Sequence, residues 1–226
     1  MKHHIALQLL FDRLHHDIED MRDVIEMLER HLKTEVNRLT SRFNKELKGL
    51  SEEEKQFTVG WYDDDFVRLD RVFPNIQRRS LFITLMCILE SDMLLACEMC
   101  RRSYELPKRF KKKGNTRVII QAFSYLEDNL TIRMRNLKSH WELVQNLWSI
   151  RNAIVHGDGI PKPRDLQAIS NFCAPIPTLE LDHHNRIVFH KGSVEMAIHS
   201  IHLFFSRLCD EIKRNKLTKS PTIMGT

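Results

Sequence analysis

The chain has 226 residues, 42% of them apolar and 29% charged, but only seven glycines and seven prolines. That length suits one domain with an appendage or two small ones, and the scarcity of breakers excludes both a disordered chain and a turn-rich β-sandwich. Net charge is +5, with a pI near 9.0 and 12 histidines, a mild bias towards polyanionic partners.

The first glycine is Gly49 and the first proline Pro74, so the chain opens without breakers. Leu14, Ile18, Met21, Ile25, Leu28, Leu32, Val36, Leu39 and Phe43 recur in steps of three and four, one stripe along a helix over about residues 4–47. Such a helix spans roughly 66 Å, so its far end needs a partner or a bend. It is either a packing helix of the same domain or a coiled-coil-like arm pairing two subunits. Gly49 stops it, and Ser51 with Glu54 forms a capping box for a short helix.

Residues 61–72 read as a short helix after a second break, with Asp63, Asp64 and Asp65 in a solvated turn. Pro74 opens a central apolar helix running to Pro107. Cys97 and Cys100 within it read as packing cysteines, and no zinc or other metal is expected. The run KRFKKKGNTR, residues 108–117, carries six cations and no acid and reads as an exposed loop. Ser139 with Glu142 predicts the cap of a helix reaching His156, with Gly157 as its stop. A weak helix near 164–172, a β-hairpin (TLEL, turn DHHN, RIVF) and a last helix from Ser193 to about Lys216 complete the chain.

The apolar run at residues 81–89 meets Glu90 and Asp92 before the roughly 20 residues of a membrane span. The first residues resemble neither a secretory signal nor a presequence, and five cysteines suit a reducing compartment. A soluble cytoplasmic protein with no membrane partner is expected. The motifs of P-loop, dinucleotide-binding and G-x-S-x-G hydrolase proteins are absent.

The main clue is RNAIVH, residues 151–156. Arg151 has Leu147, Trp148, Ile154 and Val155 one turn away, so a cation sits on an apolar seam and requires a carboxylate, a wet subunit cleft or an anionic ligand. Asn152 and His156 are i and i+4 on one flank. His156 ends the helix, beside its unpaired carbonyls and the negative end of the dipole. With 20 Arg, 12 His and 11 Asn, about 0.05 Arg-Asn-x3-His matches are expected by chance, yet there are two. The other, Arg135, Asn136 and His140, straddles a helix start and has no apolar seam.

The phrase LWSIRNAIVHGDG resembles the motif of the HEPN superfamily, whose ribonuclease members carry Arg, often Asn next, and His after four intervening residues. The resemblance covers about residues 74–216 and implies an all-α HEPN-like bundle; the long N-terminal helix lies outside it. The expected division is that helix (1–50), a bundle (51–216) holding a small hairpin beside the C-terminal helix, and a flexible tail (217–226). The resemblance also implies an acid near the motif arginine, Glu90 first and Asp92 second.

The implied activity is a metal-independent endoribonuclease with no cofactor, in which the 2′-OH attacks phosphorus and leaves a 2′,3′-cyclic phosphate. His156 moves the proton, Arg151 stabilises phosphoryl charge and Asn152 orients either. Lys108, Arg109, Lys111, Lys112 and Lys113 are expected to contact the RNA backbone. Arg151 and His156 are about 140° and ~7.5 Å apart on one helix, so two motifs facing across a homodimer are expected. The family setting implies a toxin or phage-defence effector with an antitoxin or defence partner. The rival is a non-catalytic dimerising module that binds a protein or nucleotide.

Overall fold

A computed structural model describes residues 2–114, 117–130 and 132–218. Asn115 and Thr116 of the basic run, and the tail from 219 onward, lie outside the described residues. The elements are α1 (Lys2–Glu46), α2 (Glu52–Val67), α3 (Phe73–Ser103), α4 (Val118–Asn129), α5 (Lys138–Gly157), α6 (Pro163–Cys173), β1 (Leu179–Leu181), β2 (Ile187–Phe189) and α7 (Ser193–Thr218). The chain is mostly helical, with one antiparallel hairpin in the register Leu179↔Phe189 and Leu181↔Ile187.

The residues form two compact units. One comprises Met1–Glu19, Thr84–Ser149 and Met196–Thr226, the other Asp20–Ile83 and Ile150–Glu195. Both draw on α1, so the first helix is divided between them.

In the first unit Leu10, Leu14 and Ile18 of α1 are buried, as are Leu85, Met86, Leu89 and Met93 of α3. Phe123 of α4 stacks on Trp141 of α5 at 4.2 Å, and Phe204 of α7 lies 5.5 Å from that indole. Cys97 and Cys100 are buried packing residues. The Cys97 thiol donates to the Ala122 carbonyl at 3.4 Å, and burial pushes its pKa up to about 12.

In the second unit the stripe of α1 continues through buried Met21, Ile25, Leu32 and Leu39. Its far end is covered by α2: Phe43 packs 5.1 Å from Tyr62 and 5.6 Å from Phe66, and Arg42 donates to the Tyr62 hydroxyl at 3.0 Å. The capping box at Ser51 is formed, with the Ser51 amide donating to Glu54 Oε2 at 2.8 Å.

Beyond it the expected second break is missing. Gly60 lies inside α2, and a π-helical turn at Arg68–Val72 carries α2 directly into α3. In that turn the Phe73 amide donates to Arg68 O, five residues back. The wider turn relieves the clash an ordinary α-helix would have with Pro74, which lacks an amide proton. The solvated turn expected at Asp63, Asp64 and Asp65 is therefore helix, with Asp65 facing Arg42 and Arg68.

The continuous helix Glu52–Ser103 contains an 18-residue window, mean hydropathy 1.8, long and apolar enough to cross a membrane by length and composition; 44% of that window is buried inside the protein.

The cap expected at Ser139 is also displaced. Trp141 N–H donates to Leu137 O, so α5 starts earlier and Ser139 lies within its first turn. Buried Leu137 and the 3-10 turn Met134–Asn136 set the entry, because Glu211 accepts from the Asn136 side chain and the Arg133 amide.

Candidate functional site

Residues 147–156 are helical, as their spacing requires, and Leu147, Trp148, Ile154 and Ala153 are buried while Val155 is 43% exposed. Arg151 is half-buried at the edge of this seam, and its Nη1 donates to Asn152 Oδ1 at 3.2 Å. That contact engages the amide carbonyl of Asn152 and leaves the NH2 group to donate elsewhere. His156 is exposed and is the penultimate residue of α5.

The helix end is closed by the loop that follows it. Asp158 and Gly159 both take left-handed backbone, φ 51° and 87°, and the Gly159 amide returns to Ala153 O at 2.9 Å. This is the six-residue closure of a helix C-terminus, and it needs residues that tolerate positive φ. Gly159 O then accepts from the Ile187 amide at 2.9 Å, tying the loop to β2.

The Asp158 carboxylate is gripped from two sides. Arg79 of α3 donates to Oδ1 at 3.0 Å and Arg186 of the hairpin lies 3.4 Å from Oδ2. A methyl group on Gly159 would meet Arg79 Nη2 at 3.1 Å and Arg186 Cγ at 3.3 Å. The neighbouring Arg78 holds Glu29 of α1 bidentately at 2.7 and 2.9 Å and reaches the Phe189 carbonyl at 3.3 Å. Asn75 Oδ1 accepts from the Phe189 amide. Asn75, Arg78 and Arg79, close together at the start of α3, thus fix the hairpin and the loop behind His156.

Arg79 and Arg186 were invisible as site residues in the sequence. They lie 79 and 28 positions from Asp158, and no local spacing links them. The only hint was the Asp-Gly pair after the histidine, which marks a turn but not what holds it.

Compared with protein-family models, curated proteins and solved structures, the chain matches none. The likeness of LWSIRNAIVHGDG to the HEPN motif rests on its own residues.

Other expected site residues lie in the first unit. Glu90 is half-buried on α3. The fully buried acid of that helix is Asp92, whose nearest cation is Arg13 Nε at 3.6 Å and whose carboxyl oxygens both lack hydrogen bonds. Burial pushes its pKa up to about 6, with Arg13 opposing the rise and Asp17 adding to it.

Lys108, Arg109, Lys111, Lys112 and Lys113 are all exposed. Their loop is braced on α4: Tyr125 OH donates to Lys108 O at 2.7 Å, Phe110 packs edge-on to Tyr125, and the Gln121 side chain bridges the Lys113 amide and carbonyl. Arg109 also faces Glu98 at 3.5 Å.

The second Arg-Asn-x3-His match has a different fate. Asn136 donates to buried Glu211 at 2.7 Å, and Asn136 and His140 line a polar cavity of about 340 Å³ with Arg207, Asp210 and Arg214. A second cavity, of about 420 Å³, is apolar and borders the π-helical turn at Leu69, Phe73 and Ile76. The RNAIVH side chains line neither. Among the described residues no three His, Cys, Asp or Glu side chains gather into a set able to hold a metal.

Proposed function

We propose that the protein is a metal-independent endoribonuclease of the HEPN type, acting in the cytoplasm as a toxin or phage-defence effector under an antitoxin or similar partner. The observation that carries this reading is the pairing of a half-buried Arg151 and Asn152 with an exposed His156 on a helix end that its loop holds rigidly.

The chemistry follows from those groups. The ribose 2′-oxygen attacks the adjacent phosphorus as the bond to the 5′-oxygen breaks, giving a 2′,3′-cyclic phosphate and a 5′-hydroxyl. His156 takes the proton from the 2′-hydroxyl or gives one to the leaving oxygen. Arg151 faces the charge that grows on the non-bridging oxygens, and its fork matches two of them. Asn152, with its carbonyl on Arg151, presents its NH2 group to the same phosphate. One helix does not bring Arg151 and His156 to a single phosphate, so the working site pairs two protomers around a twofold axis. The lysines of the 108–113 loop hold the flanking strand by its phosphates and make binding fall with salt.

Purified protein incubated with mixed RNA in EDTA tests this. Cleavage is expected to drop about 10²–10⁴-fold in His156→Ala and at least ~10²-fold in Arg151→Ala, and to persist in His140→Ala. Products should carry cyclic phosphate ends. An absence of cleavage, with folded protein, overturns the enzyme and leaves the binding module.

A further inference from the structure

The outer side of α2 presents an arrangement that the RNA-cleaving site does not use. Glu53, Phe57 and Trp61 recur at every fourth position and Asp64 follows three later, so all four share one side of the helix. Phe57 is 70% and Trp61 71% exposed, with rings 6.2 Å apart, while Tyr62 on the opposite side is buried against α1. Gly60 borders this aromatic pair inside the helix, where a Cβ added to it would meet nothing within 4 Å. Helix geometry does not ask for glycine there, since Ala would be favoured. Its absent side chain leaves room for another backbone to lie beside the rings.

The charges define what fits. Among the described residues Glu52 pairs with Lys55, Glu54 caps Ser51, and Asp65 faces Arg42 and Arg68. Among the described residues Glu53 and Asp64 on this side, and Asp63 away from the rings, are exposed and form no ion pair. A nucleic acid or anionic lipid would be repelled by this side. The complementary element is in the same chain: on the braced loop at residues 108–113, Lys108, Lys111 and Lys112 are exposed, form no ion pair among the described residues, and flank Phe110. Lysine stems cover aromatic rings well, and an ammonium is attracted to the indole face.

We propose that the outer face of α2 docks the basic loop, residues 108–113, of a second copy of this chain. Two uncommitted acids beside two bare rings, Glu53 and Asp64, meet the uncommitted lysines of the loop, and Gly60 admits the incoming backbone. This contact does not depend on the ribonuclease reading and involves none of the RNAIVH residues, but it uses the loop lysines that reading assigns to the RNA backbone, so RNA and the second copy compete for them.

The full-length protein reports the contact directly, because Trp141 and Trp148 are only 7% and 5% exposed and Trp61 is the accessible indole. Acrylamide quenching of Trp61 is expected to weaken as protein concentration rises. Glu53→Lys with Asp64→Lys should weaken that protection about tenfold, and adding Lys111→Glu with Lys112→Glu to the same chain should restore it. Gly60→Gln should abolish it while helical circular dichroism is unchanged. Quenching that stays the same across a hundredfold concentration range overturns the proposal. So does protection that is independent of concentration, which would place the contact within one chain, or a charge swap that fails to restore it.

Discussion

At the scale of single residues, the candidate site depends on how Asp158 and Gly159 end α5. Gly159→Ala places a methyl group against two arginines on a backbone with φ 87°, so a loss of about 1–3 kcal/mol is expected in urea unfolding. Asp158→Asn keeps a residue that tolerates left-handed backbone but removes the charge that Arg79 and Arg186 share. It should leave stability within ~1 kcal/mol, because Asp158 itself is exposed, and lower RNA cleavage about tenfold, measured at constant salt. Asp92 acts on stability instead. Its carboxyl is raised from 3.8 to about 6, so the folded state holds the proton more tightly than the unfolded chain. Its contribution to stability is then fully present below about pH 4, is lost as pH rises from about 4 to 6, and is absent above that, a change of ~3 kcal/mol at most. Asp92→Asn should flatten this profile in denaturant titrations at several pH values. Arg151, Asn152 and His156 were legible because their spacing is local to one helix. The Arg79–Asp158–Arg186 clamp was not, since its members meet only through tertiary packing.

At the scale of elements, periodicity located the helices and failed where a breaker was tolerated. The stripe from Leu14 to Phe43 marked α1 to within two residues of its observed start at Lys2 and end at Glu46. The break expected before residue 61 and the helix start expected at Pro74 both fall inside one continuous helix, because Gly60 costs a helix only ~1 kcal/mol and the π-helical turn makes room for the proline. The hairpin was legible from alternation around DHHN, and the strands pair as that alternation requires. At Ser139 a correct capping pattern lost to burial of Leu137, which starts the helix earlier. Gly60→Ala should raise the melting temperature by the equivalent of about 1 kcal/mol, since the added methyl group touches nothing.

At the scale of the whole molecule, helix content and class followed from composition, whereas the partition into two units did not. Each unit is assembled from segments far apart in the chain, and hydrophobic stripes do not say which partner they will meet. The homodimer proposed for the nuclease has its own test. Arg151→Ala protein mixed and refolded with His156→Ala protein should recover about a quarter of wild-type cleavage, because half the dimers are mixed and each has one intact composite site. Two inert chains that stay inert on mixing would place both groups within one protomer. The order of the chain carries a further consequence. The turn behind His156 needs Arg186 and the β2 amide of Ile187, both synthesised well after α5, and the first unit still lacks α7 when they appear. A nascent chain therefore emerges with the turn behind His156 unfinished, and that turn closes only once the hairpin has followed it out of the ribosome.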